Sequence, residues 1–124
     1  MLICIQSAIN IKDFNLALLL LDSEDAKRVK FAPELHQWRV EAFVGLENMS
    51  AARNHCFTVL EFAEFVDWYF IKTLWDISVS GKEKQEAEQF IIKKTENDVF
   101  TCSQFLLYSA IHSGMHTNRI KLIF

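Results

Sequence analysis

A chain of 124 residues holds enough material for one hydrophobic core, and a single domain over 1–124 is expected. Its net charge of −3 and its scattered pairs of basic residues exclude the continuous basic stripe that nucleic acid requires. One Pro and three Gly supply too little turn chemistry for an all-β fold.

The N-terminal MLICIQSAIN lacks a basic leader and a small-residue cleavage pattern, so a cytoplasmic protein is expected. No apolar stretch approaches the ~18–20 residues of a membrane span, so no membrane insertion is expected either. The first clear helical face is Phe14, Ala17, Leu18 and Leu21 within 13–21. The charged stretch 23–33 either extends that helix or forms a loop. Pro33 can open the next helix, because a proline at the first position gives up only an orphan donor. That helix runs through Trp38, Ala42 and Leu46, and a turn near 47–49 leads into a helix over 51–64. Another follows over 67–79 and stops at Ser80-Gly81, with the next near 83–94. The polar break 95–98 offers N-cap residues for a helix over 99–112, and the last ten residues suffice for a short final helix.

These helices repeat. Ala8, Ala42, Asp76 and Ala110 lie 34 residues apart, each followed by an apolar residue: Ile9, Phe43, Ile77 and Ile111. Ala17, Ala52 and Ala87 recur every 35 residues, with Leu21, Cys56 and Ile91 four positions further on. Two rows of nearly equal period, one on each of two helices, describe an all-α array of antiparallel hairpins, about three and a half repeats long. Small side chains let the helices of a hairpin approach; bulky ones fill the space between hairpins.

The unit Trp38-x3-Ala42 followed by Ala52-x3-Cys56 resembles the tetratricopeptide repeat, a helix–turn–helix unit of about 34 residues. The chain departs from that pattern where Ala42 and Ala52 stand only ten apart and where Asp76 fills a small-residue slot. That Asp implies a rotated third hairpin or a partly exposed carboxylate. The segments Gln37–Ala42, Met49–Ala52 and Val66–Trp75 are also similar to hairpins of the small co-chaperones that keep type III secretion needle subunits unpolymerised. That resemblance implies a small helical protein client, with a second small chaperone as an optional partner.

In such arrays the first helices line the concave side. A row pointing inward there comprises Ile9, Phe43, Ile77 and Ile111, with Ile5, Arg39, Thr73 and Leu107 one turn earlier. It forms a protein-binding groove for a partner helix, unless it is ordinary core between hairpins. Among the aromatics of 57–75, Phe62, Phe65, Trp68 and Trp75 are spaced for a buried face. Tyr69 or Phe70 is the expected contact, and Phe70 and Arg39 are favoured as hot spots.

No catalytic role is expected. His112-x3-His116 lacks the Glu of a zinc-protease helix, and Ser113-Gly114 interrupts it. His55 and Cys56 are sequence neighbours, which diverge by about 100° on a helix and form no nucleophile–base pair. Glu61 and Glu64 read as solvated. Three separated cysteines (Cys4, Cys56, Cys102) form neither a disulfide framework nor a metal site, and each reads as a small buried hydrophobe. No cofactor is implied. The expected function is therefore a chaperone that masks a self-assembling client, with a permanently docked adaptor or structural subunit as the alternative.

Overall fold

The computed structural model describes residues 2–23, 33–62 and 67–113. The protein is all-α: the described residues form seven helices, are 84% helical and contain no strand. These are α1 (Leu2–Asn10), α2 (Phe14–Leu21), α3 (Pro33–Gly45), α4 (Met49–Phe62), α5 (Trp68–Ile77), α6 (Gly81–Lys94) and α7 (Val99–Ser113). Most of 23–33 and the expected final helix lie outside the described residues. The chain divides into two compact units, Met1–Val59 and Leu60–Phe124, with the boundary inside α4.

Short polar turns set the helix starts. Asp13, Asn48, Ser80 and Asp98 each accept a hydrogen bond from the backbone N–H three residues on, at 3.1–3.2 Å. Asp67 accepts one from the Tyr69 N–H at 2.8 Å. Each satisfies a donor that the first helical turn leaves orphaned. Ser80-Gly81, expected to stop a helix, instead starts one. The Ser80 side chain caps α6, Gly81 is its first residue, and Glu83 reaches back to accept from the Val79 N–H at 3.0 Å.

The ends of α1 and α3 share one geometry. Lys12 and Glu47 adopt left-handed φ of 63° and 60°. Beside them, Asp13 N–H donates to Ala8 C=O and Asn48 N–H to Phe43 C=O, the six-to-one bond of a Schellman turn. In both turns the residue closing one helix caps the next.

The first unit holds α1, α2, α3 and most of α4, and α1, α2 and α3 pack on one another. One buried cluster joins Ile5, Leu21 and Leu35, with Leu18, Leu20 and Trp38 packed against it. A second joins Ala8, Ala17 and Ala42, one small residue from each helix, with Ile9, Phe14 and Leu18 around it. The Phe14 ring lies so close over Gly45 that a Cβ there would overlap it.

In the second unit α5 packs on α6 and on α7. Its buried side chains include Leu60, Phe70, Ile71, Leu74, Trp75, Ala87, Ile91, Phe105 and Ala110. Trp75 and Phe105 meet edge-to-face, with centroids 5.7 Å apart. Two buried hydroxyls return to their own helices: Ser78 donates to Leu74 C=O and Thr95 to Ile91 C=O, each at 2.7 Å. Such bonds make a buried hydroxyl tolerable where a helix ends.

Candidate functional site

The expected groove residues fall in both units, and they differ in accessibility. In the first unit Ile5 is fully buried beside Leu21 and Leu35, so it belongs to the core. Ile9 is half-buried against the alanine cluster. Arg39, half-buried on α3, binds the Asp22 carboxylate at 2.8 Å, and Phe43 is half-buried one turn further on.

In the second unit Phe70 is buried, against its expected role as a surface contact. The physical reason is phase: on α5 it shares the inward arc with Ile71, Leu74 and Trp75. The opposite correction applies to Phe62. Expected on a buried face, it is 78% exposed as the last residue of α4. Trp68 and Tyr69 are half-buried, and Phe65 lies outside the described residues.

Thr73, Ile77 and Leu107 are half-buried, while Ile111 is 58% exposed. On α7, residues 100, 107 and 111 fall within about 40° of one another at 100° per residue. Phe100, 80% exposed, therefore extends the Leu107–Ile111 pair into one apolar stripe, with the exposed Gln104 on the same face. Phe100 was missed because the repeat aligns it with no residue of the proposed row.

Beside that stripe lies a polar network. Tyr108 donates its hydroxyl to Asp76 Oδ1 at 2.6 Å, and Lys72 donates to Asp76 Oδ2 at 3.1 Å. The Trp68 ring meets Tyr108 edge-on at 5.5 Å, and the His112 ring lies 4.2 Å from it. Burial, then the bond to Asp76, pushes the Tyr108 hydroxyl above its ordinary pKa. The Asp76 hydrogen bond and charge raise Lys72, and both interactions favour its charged form. Asp76 is thus exposed and paired, so its carboxylate has both water and partners. The signals in the sequence were Lys72–Asp76 and Tyr108–His112, each four apart on a helix.

The cysteines differ among themselves. Cys56 is buried, Cys102 half-buried and Cys4 exposed, and all three are free. Burial pushes the Cys56 thiol up to about 12, so it stays protonated and unreactive. His112 and Glu61 are exposed; His116 and Glu64 lie outside the described residues. Among the described residues no three His, Cys, Asp or Glu side chains gather to hold a metal. No described helix is long and apolar enough to cross a membrane.

Comparison with protein families, curated proteins and solved structures finds no match to this chain.

Proposed function

We propose that this chain is a protein-binding module that covers the apolar face of a client helix and keeps the client from assembling with itself. The observation that carries this reading is the α7 stripe Phe100–Leu107–Ile111: three large apolar side chains along about 16 Å of one helix face, two of them exposed. A partner helix laid along it would bury those side chains in the helix-in-groove manner.

The narrower form is a cytoplasmic co-chaperone of a type III secretion needle subunit, working in a heteromeric complex. It rests on the resemblance of Gln37–Ala42, Met49–Ala52 and Val66–Trp75. The tetratricopeptide-like array rests on the 34- and 35-residue spacings. The burial of Ala8, Ala42 and Ala110, and of Ala17, Ala52 and Ala87, fits it.

The test begins with identification of the chain that co-purifies from the native cell. Its polymerisation is then followed by light scattering with and without the purified protein. Equimolar wild-type protein should suppress polymerisation, and the double variant Phe100→Glu, Ile111→Glu should not, at an unchanged melting temperature. Retention of the protein in the finished assembly would instead support the adaptor. Full suppression by the double variant would remove the α7 stripe from the interface.

A further inference from the structure

Helices α3 and α4 bring two histidines together, both within the first unit. His36 Nδ1 lies 3.2 Å from His55 Nε2, with the ring centroids 5.3 Å apart and the planes tilted by 37°. Both residues are half-buried. Their sequence neighbours Leu35 and Cys56 are buried, so packing anchors each helix at the level of its histidine.

Imidazole binds divalent transition metals through a ring nitrogen that carries no proton. A tetrahedral Zn²⁺ with bonds of about 2.0–2.1 Å holds two nitrogen ligands about 3.3–3.4 Å apart. The facing nitrogens, 3.2 Å apart, reach that spacing with a shift of about 0.2 Å or less. The hydrogen bond between the rings needs a proton on one of the facing nitrogens. Coordination needs a lone pair on each. Moving that proton to the other nitrogen of its own ring supplies it without changing the charge. His36 then carries its proton on Nε2 and His55 on Nδ1. Arg39, three residues along α3, sets a positive charge against His55, and Asp22 binds that guanidinium at 2.8 Å. Two protein ligands leave two of the four positions to water, so binding is weaker than at a closed four-ligand site.

We propose that His36 and His55 form a binding site for a divalent transition-metal ion, Zn²⁺ by its geometry, that bridges α3 and α4. This goes beyond the client-binding role and does not depend on what covers the α7 stripe.

The experiment uses the full chain and Zn²⁺ alone. Ring-proton NMR of the histidines is followed as Zn²⁺ is added up to about 1 mM at about pH 7.5, where free imidazole is neutral. The His36 and His55 signals should shift together with a common midpoint, while exposed His112 stays in place. His36→Gln and His55→Gln should each weaken binding at least about tenfold, because an amide replaces an imidazole ligand. Cys4→Ser removes an exposed thiol that can also take Zn²⁺, and it should leave both shifts unchanged. Zn²⁺ should also raise the melting temperature of the wild type and of neither glutamine variant. The proposal is overturned if the two rings do not shift together, or if either glutamine variant binds Zn²⁺ as the wild type does. Should a variant fail to fold, the titration of the two rings in the unaltered protein decides.

Discussion

The hydroxyl of Tyr108 and the carboxylate of Asp76, 2.6 Å apart, tie α7 to α5. Asp76 also holds Lys72, so one carboxylate serves both helices. Removing the hydroxyl in Tyr108→Phe should cost about 0.5–1.5 kcal/mol in thermal or urea melting, because the acceptor is partly solvated. In ultraviolet titration Tyr108 should ionise above the usual tyrosine range, and Asp76→Ala should bring it back down. With its folded pKa raised, this tyrosine stabilises the protein fully below its ordinary pKa of 10.0. That contribution is lost as the pH climbs through the raised value. If Asp76→Ala leaves the titration in place, the bond does not form in solution.

The paired turns after α1 and α3 give a second prediction, of gained stability. Lys12 and Glu47 hold left-handed φ that a side chain opposes and glycine accepts freely. Glu47→Gly and Lys12→Gly should each raise stability by about 0.5–1 kcal/mol. Each strain is local to the backbone of its own turn, and the gains should add in the double variant. A loss in either would mean that its side chain contributes more than its backbone strain removes.

Glycine is required for a different reason at 45, where the Phe14 ring covers the backbone. Gly45→Ala gains helix propensity worth about 1 kcal/mol. It also forces the ring away, at a cost of about 1–3 kcal/mol. The net expectation is a loss, and Gly45→Ala combined with Phe14→Leu should recover part of it. A raised melting temperature in Gly45→Ala would show that the ring moves aside freely.

Much of this fold was legible because small and capping residues report local geometry directly. Pro33 begins α3, Asp13 and Asp98 cap their helices, and the alanines expected between helices are buried. Ser80-Gly81 was misread because Ser and Gly both end and begin helices. Only the returning Glu83 side chain, three residues on, distinguishes the two. The proposed row was less legible, since a spacing of 34 says nothing of how far each helix is rotated. Ile5 and Ile111 share the proposed row, yet one is core and the other is exposed. The His36–His55 contact, 19 residues apart, has no local signature at all.

That difference within the row gives the last prediction. Ile5 is sealed between Leu21 and Leu35, so Ile5→Glu buries a carboxylate with no partner. The cost is several kcal/mol, comparable to the whole stability of a small domain, and the first unit should unfold. Phe43 is half-buried on α3, and a glutamate there can lead its charge into water. Phe43→Glu should therefore lose only the apolar burial of half a ring, about 1–2 kcal/mol. Exposed Ile111 should tolerate the same change within about 0.5 kcal/mol. The expected order of melting temperatures is Ile111→Glu above Phe43→Glu, with no cooperative melt of the first unit in Ile5→Glu. Binding separates the last two sites: a client seated on the α7 stripe is lost in Ile111→Glu. It is lost in Phe43→Glu as well only if the same partner reaches α3. A Phe43→Glu protein that melts near the wild type but releases the client puts Phe43 at the interface. One that unfolds like Ile5→Glu makes Phe43 core, leaving the second unit as the place to look for the client.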